Sequence, residues 1–503
     1  MIYEFGDCED PLTVGGKGAS LSRMKNLRLP VPEGFTVSTD AWQAHNTKEI
    51  TFTKLMNQVK KAIDRFIPGF GEGTLISVRS GAPVSMPGMM DTILNIGIDL
   101  SNKEMSHDSA LRAVDFLRSY ARVTNTEITA GAYEEAIDKF IDDIARIDNV
   151  LWVKDLNVER LRMIIRLIAR KIRESGVVVP RKPSTQLRHS MALVLASWSN
   201  ERAKLYREQK GIPHDMGTAV NIQRMVFGQQ GGAGVYLTRS PETGIKKPMV
   251  DWLPNAQGSE VVDGVSLVKG YPELKQKYPF CALQLEGAAK ILERNGRDAQ
   301  DIEFTIENGN LWLLQCRSIK RTSQATSRIA VELLRAGIIT EEDIIRIPLP
   351  PTTTETTVIT TGKELIGRAT PVIKRAVRGK LYIIKNNITK PEETILFRPI
   401  TTPADLDVML QCKAIVTTLG GPTCHAALVS RELNIPTYVS ASGSMKGSYY
   451  YGDKHKVVEG SDITITENGE IYRGLLTINS KTRSDKWRDE MSKIQQEAWQ
   501  QSN

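Results

Sequence analysis

The 503-residue sequence lacks several features that would assign a protein to a class at once. Its five cysteines form no CxxC pair and are odd in number, so reduced thiols are expected. No apolar run approaches the roughly 20 residues of a membrane helix. The first residues contain no basic segment followed by an apolar one, as a signal peptide would. These absences predict a cytoplasmic protein with no membrane partner.

Charge and composition exclude little else. Hydrophobic residues make up 41% and charged residues 25%, as in ordinary globular proteins. The net charge of +8 is spread along the chain without a long basic block, so a nucleic-acid partner is not expected. The length leaves room for about three or four domains.

One histidine stands at a position suited to holding phosphate, and a histidine that merely caps or packs at a turn is the alternative. The run from Lys413 to Thr418 is β-branched and apolar, and Gly420-Gly421-Pro422 interrupts it before a helical pattern that begins at His425. Thr423 would cap this helix, although a regulatory role for its hydroxyl stays open. The first-turn amides and the positive end of the helix dipole would then face a phosphoryl group on the imidazole.

The amino-terminal segment contains glycines and a lysine ahead of a helical pattern. Gly15, Gly16 and Gly18 would let the backbone approach an anion, and Lys17 would supply positive charge. The spacing is not that of a Walker motif. A turn with a purely structural role is the alternative.

A second motif, which contains an arginine, lies between Leu75 and Gly97. ISVRS is predicted to be a buried strand that carries Arg79, and SMPGMMDT is predicted to be a loop. A buried strand ending in arginine indicates an anionic ligand, since guanidinium pairs with phosphate, although a surface ion pair is the alternative.

The segment from Asp298 to Thr322 predicts a hairpin, because two alternating runs flank Asn308-Gly309. Period-two spacing puts Asp301 and Glu303 on one face of the first strand, and Gln315 and Arg317 on one face of the second. Carboxylate and amide oxygens suit Mg²⁺, and the arginine suits phosphate. A solvent-facing polar side is the alternative.

Between the two motifs just described, glycines at 231, 232 and 234 suggest a mobile loop over phosphates, with Arg239 nearby. A plain β-hairpin is the alternative.

These motifs resemble the pyruvate phosphate dikinase family. The pattern GGxTxHAA resembles the phosphohistidine domain that this family shares with phosphoenolpyruvate synthase, enzyme I of the sugar phosphotransferase system and the water dikinases. SMPGMMDT, DIEFTIE and LWLLQCR resemble the nucleotide-binding domain of the dikinases in particular. Three positions differ from the usual family residue: Leu419 replaces arginine, Cys424 replaces serine and Asp251 replaces glutamate.

The resemblance implies an α/β (α+β) fold with an ATP-grasp domain, a helical insertion and a swivelling β/β/α phosphohistidine domain. The expected parts are 1–100 and 185–325 for ATP-grasp, 101–184 for the helical insertion, 326–361 for a helix and Pro/Thr linker, 362–478 for the phosphohistidine domain and 479–503 for a polar tail. By resemblance, His425 is the phosphoryl carrier. The ATP and phosphate ligands are Lys17, Arg79, Gln315 and Arg317, and the metal ligands are Asp301 and Glu303.

The implied chemistry is a dikinase half-reaction that uses ATP, Mg²⁺ and inorganic phosphate. The β-phosphate of ATP would reach His425, with release of AMP and pyrophosphate. No pyruvate-binding barrel of about 250 residues follows, so a truncated or split dikinase is expected, with the barrel on a separate chain. Transfer to another small-molecule or protein acceptor and a non-catalytic nucleotide-binding relic are the alternatives, and whether the chain forms a homodimer stays open.

Overall fold

The protein, a computed structural model, consists of two compact units, Met1–Val226 and Phe227–Asn503. The structure describes residues 1–502 except 85, 87–89, 125–136, 138–139, 142, 145–146, 149, 151–152, 259–260, 262–267, 353, 385–387, 402–404, 454 and 483–484. Among the described residues, no helix combines the length and apolarity needed to cross a bilayer.

The first unit contains a five-stranded antiparallel sheet in the order β1-β2-β5-β3-β4. Its strands are β1 (Ile2–Glu4), β2 (Gly34–Val37), β3 (Ile76–Gly81), β4 (Thr92–Ile96) and β5 (Ala219–Arg224). β2 is buried along its whole length, and so is β5 as far as Gln223. The strand predicted at ISVRS is present as β3.

Helices surround this sheet. They are α1 (Pro11–Asn26), α2 (Thr39–Asn46), α3 (Phe52–Phe66), α4 (His107–Thr124), α5 (Val158–Glu174), α6 (Pro183–Ala196) and α7 (Glu201–Lys210). α4 and α5 lie within residues 101–184, where a helical insertion was expected, and each buries an apolar face. The predicted loop SMPGMMDT lies partly outside the described residues.

The second unit begins with a four-stranded antiparallel sheet in the order β7-β6-β8-β9. Its strands are β6 (Gly232–Leu237), β7 (Met249–Pro254), β8 (Gln300–Glu307) and β9 (Asn310–Ser318). The associated helices are α8 (Tyr271–Lys277), α9 (Pro279–Gly296), α10 (Ser323–Arg335) and α11 (Glu341–Arg346). Apolar residues of β6 pack with those of α10 in one core cluster.

An eight-stranded sheet follows in the order β11-β21-β20-β13-β14-β15-β16-β12. Its strands are β11 (Leu365–Arg368), β12 (Thr370–Pro371), β13 (Val377–Tyr382), β14 (Thr394–Arg398), β15 (Ala414–Thr417), β16 (Thr437–Val439), β20 (Asp462–Ile465) and β21 (Glu470–Arg473). β13, β14, β15 and β16 pair in parallel and the other pairs are antiparallel. The sheet therefore has a parallel centre with helices at the ends of its strands.

Two helices are connected to this parallel part, α12 (Leu406–Met409) and α13 (His425–Leu433). A separate three-stranded sheet contains β17 (Ser444–Lys446), β18 (Tyr449–Tyr451) and β19 (Lys456–Val458). The last helix is α14 (Lys486–Ser502), which packs on α10 and α11 through Met491.

The predicted α/β fold class is confirmed, while one predicted connection differs. The Pro/Thr-rich linker contains a strand, β10 (Thr354–Val358), which pairs with β22 (Ile478–Thr482). Threonine favours strands because its branched Cβ suits a pleated backbone. The chain that enters the eight-stranded sheet and the chain that leaves it therefore form one antiparallel ribbon.

Candidate active site

His425 is the first residue of α13, and a loop of residues 418–424 connects it to the carboxyl end of β15. Gly420 has a φ of 89° in the connecting loop, a conformation that favours glycine. The helix ends at Asn434, whose φ of 56° is left-handed, a conformation common at the end of a helix. Because β15, α13 and β16 form a parallel β-α-β unit, His425 lies at the strand-end edge where such sheets bind ligands.

The imidazole of His425 has different surroundings at its two nitrogens. Nδ1 lies 3.1 Å from Oγ1 of Thr401. Nε2 is buried and has no hydrogen-bond partner among the described residues. The ring faces a small hollow lined by Ile400, Thr401, Thr417, Leu419, Gly420, Cys424 and Ala426.

Burial controls the charge of this ring. It lowers the pKa of His425 to about 4, and the nearby Asp405 carboxylate opposes that shift only in part. The imidazole is therefore neutral near pH 7, which is the form that can act as a nucleophile.

Thr423 does not cap α13, contrary to the sequence prediction. Cys424 occupies the N-cap position and makes no capping hydrogen bond through its side chain. Instead, the Thr423 amide and hydroxyl both donate to Oδ2 of Asp251 on β7, at 2.9 and 2.6 Å. The prediction is wrong because the helix begins one residue later than an N-cap at Thr423 requires, and the Thr423 hydroxyl donates to the buried carboxylate.

Asp251 fixes the loop before His425 against the four-stranded sheet. A Cβ added to Gly421 would lie 2.8 Å from Oδ2 of Asp251, so only glycine leaves room for this approach. Asp251 is 8% exposed, and burial raises its pKa despite the two hydrogen bonds from Thr423. The buried carboxylate of Asp251 thus joins the loop before His425 to the four-stranded sheet.

The predicted hairpin is present. Asn308 and Gly309 have φ values of 51° and 79°, as a two-residue hairpin turn requires. Asp301 pairs with Arg317 and Glu303 with Gln315 across β8 and β9, so the four side chains share one face. The face predicted from alternation is therefore real, and a bulge begins only after Glu303.

The same face continues to Asp251. Val235 of β6 pairs with Glu303 on one side and with Asp251 on the other, so these side chains lie in one row across the sheet. The loop that precedes His425 therefore contacts the sheet face that carries the predicted ATP and metal residues.

Asp301 has one occupied and one unpartnered oxygen. Arg317 Nε donates to Oδ2 at 2.8 Å, while Oδ1 has no partner among the described residues. Asp301 is 2% exposed, and burial raises its pKa although the charges of Arg317 and Arg431 oppose the rise. An orphaned buried carboxylate oxygen fits a hard cation such as Mg²⁺.

The rest of the oxygen set also fits a metal that is shared with a ligand. Glu303 and Gln315 supply further oxygens on the same face. In the part of the chain that the structure describes, no group of three or more His, Cys, Asp or Glu side chains is placed to hold a metal ion by itself. Few protein ligands are typical of Mg²⁺ that is also bound by phosphates.

Lys17 and Arg79 belong to the first unit. The glycine cluster was predicted to form a turn ahead of a helix. It lies instead inside α1, which is kinked at Gly15 with a φ of 68°. A Cβ on Gly15 would lie 1.8 Å from the carbonyl oxygen of Gly81, so glycine is needed for close packing of α1 on β3. The glycines thereby bring the backbone of Lys17 to the end of the strand that carries Arg79.

Two further predictions are corrected. Gly232 and Gly234 lie in β6, a buried strand, and not in a mobile loop. Arg239 is 1% exposed and is held by Glu293, at 2.9 Å from Nη2, and by Glu332, at 2.6 Å from Nη1. Its charge is neutralised inside the protein, so we assign it a structural role.

Sequence reasoning missed the partners of the histidine segment. Thr401 lies 24 positions before His425, and Asp251 lies 172 positions before Thr423. Arg431 of α13 is 8% exposed, and its Nε is unpartnered among the described residues. The one available signal was that Thr401 follows β14 as His425 follows β15, because ends of adjacent parallel strands meet.

Sequence comparisons agree with this arrangement. A family described as "Pyruvate phosphate dikinase, AMP/ATP-binding domain" matches residues 47–277 and 269–337. A second, described as "PEP-utilising enzyme, mobile domain", matches residues 390–468. The two matches cover the hairpin and His425.

Three relatives illustrate the similarity. Pyruvate, phosphate dikinase of Clostridium symbiosum is 36% identical, with 94% of this chain and 58% of that protein covered. The enzyme of Rhizobium meliloti is also 36% identical, with 88% and 54% covered. Pyruvate, phosphate dikinase 2 of Oryza sativa is 31% identical, with 96% and 58% covered. The chain thus spans somewhat more than half the length of these relatives.

Proposed function

The chain belongs to the pyruvate phosphate dikinase family, and on that premise we propose that it transfers the β-phosphoryl group of ATP to His425. The observation that carries this proposal is the neutral imidazole at the start of α13, held against a sheet face that presents carboxylates and an arginine. The proposed nucleophile and the hairpin residues proposed to bind Mg²⁺ and phosphate therefore belong to the same unit.

In this proposal, the side chains of Lys17, Arg79 and Arg317 bind the phosphates of ATP. Asp301, Glu303 and Gln315 would hold Mg²⁺, which when bound neutralises phosphate charge. Oδ1 of Asp301 supports this role because nothing else among the described residues satisfies it.

His425 supplies the electron pair that forms the new N–P bond. AMP leaves with the electrons of the broken bond between its phosphate and the β-phosphorus, and the γ-phosphoryl group passes to inorganic phosphate as pyrophosphate. One ATP and one phosphate thus give AMP, pyrophosphate and one phosphohistidine. The helix dipole of α13 favours the added negative charge at its first residue.

Nε2 is buried here, so the segment that carries His425 has to move before it can react. The β10–β22 ribbon supports such a movement, because it contains the two chain segments that enter and leave the eight-stranded sheet. We propose a swivelling of this sheet about the ribbon, with pyruvate as the final acceptor at a site supplied by another chain or domain.

The test is to incubate the purified chain with Mg²⁺, inorganic phosphate and ATP labelled at the β-phosphorus. We expect acid-labile, base-stable label approaching one per chain, with AMP formed, and no label on His425→Ala. His455→Ala is the matched control. His455 is partly exposed and pairs with Glu364 at 2.7 Å, so the variant should label normally.

Two results would count against the proposal. Label on His425→Ala would move the carrier elsewhere, and ATP binding without label on the wild-type chain would favour a nucleotide-binding relic. Once labelled protein is in hand, adding pyruvate with and without a separately expressed barrel domain tests the acceptor. Discharge only when the barrel is present is the expected outcome.

A further inference from the structure

Thr401 lies at the end of one parallel strand and His425 follows the end of its neighbour. β14 ends at Arg398 and β15 at Thr417, and the two strands pair in parallel. Thr401 is 4% exposed, and its Oγ1 lies 3.1 Å from Nδ1 of His425. The sheet therefore places a buried hydroxyl directly against one nitrogen of the proposed nucleophile.

This contact allows two arrangements of one proton. If the hydroxyl donates to Nδ1, the neutral ring carries its proton on Nε2. If Nδ1–H donates to the hydroxyl oxygen, Nε2 carries a lone pair instead.

Burial at Nε2 discriminates between these arrangements. Nε2 is buried and has no acceptor nearby among the described residues. A buried N–H without a partner loses a full hydrogen bond to water and is rare in proteins, whereas an unpaired acceptor costs less. The surroundings thus favour the proton on Nδ1, where Thr401 accepts it.

Neighbouring polar groups do not take over this role. Oγ1 of Thr417 donates to the carbonyl oxygen of Leu419 at 2.8 Å. Asp405 lies within ion-pair distance of Arg398, 3.4 Å from its Nη2, and influences the ring through its charge. Among the described residues, Thr401 is the side chain that hydrogen-bonds the imidazole.

We propose that Thr401 is a positioning residue that holds His425 as the Nδ1–H tautomer and so leaves the Nε2 lone pair as the attacking atom. This inference rests on the proposed function. The N–P bond then forms at Nε2 while the electrons of the broken P–O bond leave with AMP. The ring becomes cationic, and its Nδ1 proton stays in the hydrogen bond to Thr401, so no separate base is required.

The first measurement reads the tautomer without any reaction. Long-range ¹H–¹⁵N correlation spectra of ¹⁵N-histidine-labelled protein separate the two neutral tautomers, and His425→Gln identifies the His425 signals. We expect Nδ1–H in the wild-type chain, a mixture in Thr401→Val and recovery in Thr401→Ser. Thr394→Val is the matched control, because this buried threonine of β14 bonds Lys390 and not the ring.

The second measurement reads the consequence. In a single turnover with ATP, Thr401→Val should slow labelling of His425 at least tenfold without changing ATP affinity, and Thr401→Ser should recover most of the rate. The phosphohistidine isomer released by base should be the Nε2 isomer in the wild-type chain.

An Nε2–H tautomer in the wild-type chain would overturn the inference, whatever the variants do. So would a Thr401→Val protein with the wild-type tautomer and rate. If the wild-type chain takes no label but shows the Nδ1–H tautomer, which Thr401→Val loses, the tautomer assignment stands and the proposed function fails.

Discussion

Asp251 and Asp301 lie on β7 and β8, on either side of β6, and both are nearly buried. Burial raises the pKa of each carboxyl group. Their partners nevertheless differ. Oδ2 of Asp251 accepts two hydrogen bonds from Thr423, whereas Asp301 accepts one from Arg317 and keeps Oδ1 unpartnered among the described residues.

The difference shows how one sheet face serves two purposes. A carboxylate that meets a chain segment becomes a structural contact, because the amide and the hydroxyl repay its desolvation. A carboxylate with an oxygen left over is costly by itself and favours a cation from outside. Position on the sheet, and not residue type, therefore decides which aspartate holds the histidine segment and which keeps an oxygen for the proposed Mg²⁺.

The largest effect should come from Asp301→Asn. The change removes the charge that attracts Mg²⁺ but keeps the shape, so we expect about tenfold weaker Mn²⁺ binding by electron paramagnetic resonance. Labelling of His425 should slow about 100-fold, or about 3 kcal/mol. Asp251→Asn is the matched control and should retain metal binding. Equal losses of metal affinity in both variants would erase the distinction.

Acid should act on the segment that Asp251 holds, because that segment carries His425. The folded pKa of about 4 lies below the ordinary 6.5, so the unfolded chain binds a proton first as the pH falls. The contribution of His425 to the free energy of unfolding is fully present above pH 6.5. As the pH falls from 6.5 to about 4, about 3 kcal/mol of this contribution is lost.

The check compares urea unfolding of the wild-type chain with that of His425→Gln at pH 7.5 and 4.5. The variant should lose less stability on acidification, because it lacks the buried imidazole. The same pH dependence in both proteins would mean that His425 is not held neutral by burial.

Removing the carboxylate contact itself should have an intermediate effect. In Asp251→Ala, the Thr423 amide loses a charged acceptor worth about 1.5–3 kcal/mol. Hydrogen exchange of the 419–430 segment should therefore accelerate about 10- to 100-fold. Gly421→Ala should do the same without removing a polar group, since its Cβ would lie 2.8 Å from Oδ2 of Asp251 and displace it. Unchanged exchange in both variants would refute the role assigned to Asp251.

The smallest effect is expected for Thr423→Val. This variant loses the hydroxyl bond to Asp251 but keeps the amide bond, so exchange should accelerate only about fivefold, or about 1 kcal/mol. Double-mutant analysis with Asp251→Ala should show that the two changes are not additive. Additive effects would place the contribution of the Thr423 hydroxyl elsewhere.

Local patterns predicted local structure well. The Asn308-Gly309 turn and the alternation around it were readable because a hairpin is built from residues adjacent in sequence. The start of the α13 helix at His425 was readable for the same reason. The face shared by Asp301 and Glu303 followed directly from period two.

Predictions failed where a distant residue competed for the same group. Threonine is a common N-cap residue, yet the hydroxyl of Thr423 donates a hydrogen bond to Asp251. Gly232 and Gly234 have the composition of a loop, yet they lie in a strand where Cβ atoms would collide with Trp252 and Phe304. Thr401 gave no local signal, because its role depends on the pairing of β14 with β15.

The sequence by itself determined the α/β class, the hairpin with its polar face, and the histidine at the start of a helix. Each of these depends on backbone periodicity and turn chemistry over a few residues. Only the tertiary structure decided which groups surround that histidine: Thr401 at Nδ1, and Asp251 beneath the preceding loop. The physical reason is that burial and hydrogen-bond partners arise between strands far apart in the chain, and burial sets the neutral charge of His425.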